Sequence, residues 1–257
     1  MRHRMLSRML ATLLAAIVGA VLLSGSDQPV TARSYPHWQE LPAPPLSAQV
    51  DRLGVRVGHR VLVLGGREGA VYDLRTGVWR HVRTPVPVAE RDQVVAAADV
   101  AVLRHLRTGR SASWWGYDPR RDNWWRLQHL PARLSAPSTF GSEVYALSGR
   151  RVVVHSVHLA GWTRFPADRL RPALRGGRVT ASPAGTVVRG YAGPSRTAVA
   201  DRWDGLAWHR TRTVAPDRDA AGPLPLPAGV PRRGATGIRV GTRVVVVSGS
   251  RAWIHTP

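Results

Sequence analysis

Five tryptophans, Trp38, Trp79, Trp124, Trp162 and Trp208, are spaced 41, 45, 38 and 46 residues apart. That period is the size of one four-stranded propeller blade, so the chain reads as copies of one small unit rather than as a single irregular domain. The residues around each tryptophan repeat as well. An apolar strand ends in glycine, a short hairpin follows, then a second strand, a tight turn and the tryptophan. The first copy runs Val61–Gly66, Val71-Tyr72-Asp73 and Thr76-Gly77-Val78-Trp79. Later copies start at Val100, Val144, Val187 and Val244.

The fifth copy stops at Pro257 without a closing strand, while an orphan strand, Tyr35–Pro42, stands at the other end of the chain. The expected fold is therefore all-β, a β-propeller of five four-stranded blades, with the last blade closed by Tyr35–Pro42. Five more segments fit as the inner strands: Leu53–Val57, Gln93–Ala98, Ala136–Phe140, Arg178–Ala181 and Ala235–Val240. They are mostly small and apolar, as a crowded axis requires. Asp73, Asp118, Asp122 and Asp204 fall in the turns before the tryptophans. There a carboxylate bonds nearby backbone amides, so these aspartates read as turn residues rather than catalytic groups. Thr213–Arg233 departs from the repeat, and its five prolines make it an extended connection.

The glycine-ended strand, Tyr-Asp, Thr-Gly and Trp of Gly65–Trp79, and more loosely Tyr117–Trp124, resemble kelch repeats. The resemblance is to the galactose oxidase-like propellers, in an exported bacterial form, and it spans nearly all of residues 33–257. It implies a ligand-facing top, often used to bind proteins or sugars. The copper-radical chemistry of that group needs a tyrosine crosslinked to cysteine. This chain has no cysteine, so that chemistry does not carry over.

Residues 1–32 read as a secretory signal peptide, with Arg2, Arg4 and Arg8 ahead of the apolar run Met9–Leu23 and small residues at Val30-Thr31-Ala32. Cleavage after Ala32 leaves the propeller at 33–257, secreted or held in the cell envelope. An uncleaved N-terminal anchor is the alternative, although the run is short for a membrane span. The net charge is +21, and all 37 cations are arginine. The leader carries little of this charge, so the excess belongs to the exported domain. Without cysteine there is no disulfide framework, zinc-thiolate site or cysteine nucleophile. No cofactor is called for.

In a propeller the hairpins between second and third strands share one face with the blade-to-blade loops. Each of those hairpins here carries arginine: Arg67, Arg107 with Arg110, Arg150 with Arg151, Arg196, and Arg251. An arginine-rich top face would attract an acidic or glycan-bearing envelope component or protein. The function expected is a non-enzymatic binding module for such an anionic or sugar-bearing partner. Interleaved aromatics such as Trp124-Trp125-Arg126 could stack bases, but export argues against nucleic acid. Trp115, Trp125 and Trp203 fall off the repeat position and read either as blade packing or as sugar platforms.

The alternative function is a hydrolase or lyase acting on polysaccharide, which needs paired carboxylates. Only Asp51, Glu90 and Asp92, at the entrances of inner strands, are candidates. His155 and His158 are three apart on an expected strand and point to opposite faces, so no metal site is expected. His59, His81 and His209 lie near strand ends and read as surface residues.

Overall fold

The computed structural model describes residues 38–47, 52–106, 112–127, 134–158, 162–164, 174–192, 194–204, 207–212 and 226–257. The expected signal peptide lies outside these residues. Among the described residues every regular element is a β-strand, and all strands pair antiparallel in five sheets.

The N-terminal strand is β1 (Trp38–Leu41). The first sheet holds β2 (Leu53–Val57), β3 (Arg60–Asp73) and β4 (Val78–Val88). The second holds β5 (Gln93–Ala97), β6 (Val100–His105), β7 (Ser113–Asp118) and β8 (Asn123–Arg126). The third holds β9 (Ser138–Phe140), β10 (Glu143–Ser148), β11 (Arg151–Ser156) and β12 (Trp162–Arg164). The fourth holds β13 (Arg175–Ser182), β14 (Gly185–Ala192), β15 (Thr197–Trp203) and β16 (Trp208–Arg212). The fifth holds β17 (Ala235–Val240), β18 (Arg243–Ser248) and β19 (Arg251–His255), and β1 completes it.

The first sheet is four-stranded in substance, although β3 is one continuous run. Fourteen extended residues would span roughly 46 Å. Instead the Leu74 amide donates to the His59 carbonyl at 2.9 Å, and the Arg60 guanidinium lies 3.3 Å from Asp73. The run therefore doubles back on itself, with Gly66 at φ +57° at the fold. Gly149 and Gly249 take φ +60° and +58° at the matching hairpins of the third and fifth sheets. Positive φ at the first central residue alone is what a type II′ hairpin requires, and glycine adopts it without steric cost.

The expected N-terminal closing strand pairs where the repeat places it. Trp38, Gln39, Glu40 and Leu41 lie opposite His255, Ile254, Trp253 and Ala252. Each repeating tryptophan also stands in register with an aromatic residue on the third strand of its sheet. The register partners are Tyr72 for Trp79, Tyr117 for Trp124, His155 for Trp162, Trp203 for Trp208 and His255 for Trp38. Ring centroids are 4.8, 4.6, 5.5 and 4.9 Å apart for the Trp79, Trp124, Trp208 and Trp38 pairs. Cross-strand aromatic pairs at such distances add to what burial of the rings alone contributes.

Strands β6 and β18 are buried along nearly their whole length, with no alternation. Such runs belong to sheets covered on both faces. The apolar clusters show what covers them. One joins Val245 and Val247 of the fifth sheet to Val61 and Val63 of the first. Others join Leu62 and Leu64 to Ala101 and Leu103, Val102 to Val144 and Ala146, and Leu147 to Val179 and Val188. The first strands pack in the same succession: β17 on β2, β2 on β5, β5 on β9 and β9 on β13. Among the described residues no comparable contact joins β13 to β17. The remaining face of the fifth sheet, with Val244, Val246 and Trp253, is covered by Trp38, Leu226 and Val230.

Trp125 lies flat across its partner Gly116, where an added Cβ would stand 2.4 Å from the indole. Gly116→Val is therefore expected to push Trp125 off its bed and destabilise the domain by about 1–3 kcal/mol. Chemical denaturation of the variant checks this.

Candidate functional site

The two ends of the sheets differ in chemistry. At the end formed by the first-to-second and third-to-fourth turns, the aspartates are spent on the backbone and on local cations. Asp73 accepts from the Arg75 amide at 2.9 Å, Asp118 from the Arg120 amide at 2.8 Å and Asp204 from the Ala207 amide at 2.9 Å. Asp73 also faces His59 at 3.4 Å, and Asp204 faces His209 at 2.6 Å. Asp122 takes the Tyr117 hydroxyl at 2.7 Å and pairs with Arg80. These contacts make turn residues of them, as their positions in the repeat imply.

The opposite end carries the second-to-third hairpins and the sheet-to-sheet connections. Arg67 and Arg196 are exposed there, and Arg151 is half-buried at the start of β11. None of the three makes an ion pair among the described residues. Arg196 holds φ +51° in its hairpin. Arg150 follows Gly149 in the two-residue hairpin between β10 and β11. Arg107 and Arg110 lie outside the described residues.

Arg251 differs from the others. It donates to the Glu40 carboxylate at 2.9 Å and lies 4.8 Å from the centre of the Trp253 ring. This hydrogen bond holds Glu40 below its ordinary carboxylate range. Arg251 thus ties β1 to β19 and has part of its charge neutralised, which makes it a fastening for the N-terminal strand.

The connections at this end are held by buried arginines that sequence reasoning missed. Arg52 is 8% exposed and donates to the Gly249 carbonyl at 2.5 Å and to the Ser47 carbonyl. Ser47 in turn donates through its amide and hydroxyl to Glu68, at 2.9 and 2.8 Å. These bonds, with Arg52 nearby, hold Glu68 below its ordinary value. One short segment therefore clamps the hairpins at Gly66 and Gly249 together. In a chain with 37 arginines nothing marks Arg52 as different; only its position ahead of an inner strand could have pointed to it.

The carboxylate candidates separate. Asp92 is 2% exposed, and both its oxygens are engaged. Oδ1 accepts from the Leu106 amide at 2.7 Å, and Oδ2 accepts from the Ala89 amide at 2.9 Å and meets His105 Nδ1 at 3.0 Å. It caps the loop into the second sheet. Glu90 is exposed in the same loop and makes no ion pair among the described residues. Asp51 lies outside the described residues. Of the histidines, His155 is buried and in register with Trp162, while His158 sits in the next turn 3.7 Å from Asp99. No group of three or more His, Cys, Asp or Glu residues that could hold a metal ion occurs among the described residues.

The off-repeat tryptophans are packing residues. Trp115 and Trp125 lie against the clusters on either face of the second sheet, and Trp203 meets Trp208. No family model matches the chain, and no curated protein matches it.

Proposed function

We propose that the chain is an exported, non-enzymatic five-bladed β-propeller of kelch-like pattern. In this reading it binds an anionic or sugar-bearing envelope partner through the arginines of its second-to-third hairpins. The observation that carries the reading is the recurrence of arginine in the second-to-third hairpins, where Arg67, Arg151 and Arg196 have no carboxylate partner among the described residues and Glu40, Glu68 and Asp92 are already engaged. At the opposite end the aspartates meet cations and turn amides, and Arg75, Arg120 and Arg243 are exposed there, which is why they serve as the control. An excess of exposed guanidinium groups on one rim attracts polyanions and offers their phosphate, sulfate or carboxylate groups forked hydrogen bonds.

The test is retention on immobilised polyphosphate and dextran sulfate, with neutral dextran as control. The triple variant Arg67→Glu, Arg150→Glu, Arg196→Glu is expected to weaken retention at least about tenfold, or roughly 1.4 kcal/mol. Arg75→Glu, Arg120→Glu, Arg243→Glu changes the net charge equally at the opposite end and is expected to weaken it far less. Equal losses in the two variants would show that bulk charge, not placement, drives binding.

A further inference from the structure

A second site lies at the end of the third sheet opposite the second-to-third hairpins. Val78 and Phe140 are the exposed large apolar side chains among the described residues, and Phe140, 41% exposed, is the aromatic one. It closes β9 beside the turn Gly141-Ser142, and its register partner across that turn is Glu143. Directly opposed residues of an antiparallel pair put their side chains on one face, with Cβ atoms about 4.5–5.5 Å apart. The ring and the carboxylate therefore stand side by side at the sheet end. Gly141 makes the turn at φ +57°. Its carbonyl accepts from the Ala98 amide at 2.7 Å, and the Ser142 carbonyl accepts from the Val157 amide at 2.9 Å, so the hairpin is fixed on both sides.

Glu143 is unusual for a carboxylate in so basic a chain, since it makes no ion pair among the described residues. The Tyr145 hydroxyl donates to its Oε2 from the same face of β10, and Oε1 accepts no hydrogen bond among the described residues. Tyr145 is buried, and burial together with this hydrogen bond raises its pKa, so the hydroxyl stays a donor and holds the carboxylate in place. The place of Glu143 in its hairpin is taken by Arg60 in the first sheet and Arg243 in the fifth. The matching turns of the second, third and fourth sheets, Ala97–Val100, Phe140–Glu143 and Ser182–Gly185, hold Asp99 and Glu143 and no arginine. Asp99 faces His158 at 3.7 Å. Leu159-Ala160-Gly161 and Gly205-Leu206, which join β11 to β12 and β15 to β16 outside the described residues, carry no charge in the sequence.

We propose that Phe140 and Glu143 bind an organic ammonium ion, with the cation over the face of the ring and against Glu143 Oε1. A cation within about 6 Å of a ring centroid is drawn to the negative face of the π system. The adjacent carboxylate adds a charge-assisted contact on the same side. A neutral molecule of the same shape gains only the contact with the ring, and an anion is repelled by Glu143. The site goes beyond the polyanion reading and does not depend on it, since the hairpin arginines take no part.

The chain has two phenylalanines, Phe140 and Phe165, so ring-labelled phenylalanine gives a simple NMR spectrum in which Phe165→Leu assigns the Phe140 signals. The full chain is titrated at physiological salt with choline and with ethanolamine. At least one of the two is expected to shift the Phe140 signals saturably. Tighter choline identifies the ring as the main contact, and tighter ethanolamine identifies the carboxylate. Dimethylbutanol with a tert-butyl head, the uncharged analogue of choline, is expected to bind at least about tenfold more weakly. Glu143→Gln keeps an acceptor for the Tyr145 hydroxyl and removes the charge. It is expected to weaken cation binding by a similar factor and to leave retention on polyphosphate unchanged. Arg67→Glu with Arg196→Glu is expected to do the reverse. Failure of both cations to saturate the Phe140 shift would overturn the proposal. Equal binding of the uncharged alcohol, or an unaffected Glu143→Gln variant, would do the same.

Discussion

Replacing Arg210 with alanine is expected to destabilise the domain by about 3–5 kcal/mol, the cost of leaving a buried charge unpaired. Asp201 is 2% exposed, on the buried face of β15. Its two oxygens receive Arg210 Nε at 2.6 Å and Nη2 at 2.5 Å, a forked pair across β15 and β16. The two partners are not equivalent. The Asp201 side chain is 3% exposed, whereas that of Arg210 is 26% exposed. Asp201→Ala leaves a guanidinium that water can reach, so it is expected to cost less than Arg210→Ala. Urea unfolding of both single variants and of the double variant checks the order. A double variant close to Asp201→Ala is expected, because the stranded carboxylate is then gone. Equal costs for the two single variants would contradict the burial asymmetry.

The second large effect concerns the N-terminal strand. A chain beginning at Ala43 loses β1 and leaves β19 as an open edge. Leu41 packs into the cluster shared by the fifth and first sheets, and Trp38 packs on Val244, Val246 and Trp253. Buried Leu41 contributes about 1.5–3 kcal/mol and half-buried Trp38 adds a part of such an increment, so the truncation is expected to cost roughly 2–5 kcal/mol. The exposed backbone of β19 also becomes a template for other chains. The truncated protein is expected to unfold at lower denaturant and to self-associate in sedimentation velocity. A monomer as stable as the full chain would show that β1 is not a closing strand.

The parts of the fold legible in the sequence are those fixed by local chemistry and by the repeat. The inner strands Leu53–Val57 and Ala235–Val240 have the bounds expected of them, because a glycine turn with positive φ follows each. The pairing of Trp38 with the end of the chain follows from counting strands. The third-strand ring opposite each tryptophan was harder to read, because it is Tyr, His or Trp in different sheets. His155, expected not to share a metal ion with His158, is buried in that third-strand position. β4 runs on to Val88 through Pro85 and Pro87, which an edge strand tolerates because its outer amides need no partner.

The site was legible in outline only. A glycine hairpin tells where an arginine sits, not what it touches. Arg251 and Arg67 occupy similar places in the repeat, yet Glu40 claims one and no carboxylate among the described residues claims the other. The buried cations Arg52 and Arg104 are invisible in an arginine-rich composition. Their partners are mostly backbone carbonyls, one of them 197 residues away in the chain.

The central claim is a closed ring of five sheets presenting arginine at one rim. The contact between the fourth and fifth sheets decides it. The chain has no cysteine, so spin labels can be placed singly at Arg56, Ala184 and Thr242, which lie at the same end of the first, fourth and fifth sheets. Double electron–electron resonance then compares two distances in one protein. The pair Arg56–Thr242 spans the junction where β17 packs on β2, and Ala184–Thr242 spans the junction in question. A closed five-bladed ring predicts similar separations for the two pairs. A clearly longer and broader Ala184–Thr242 distribution would contradict it.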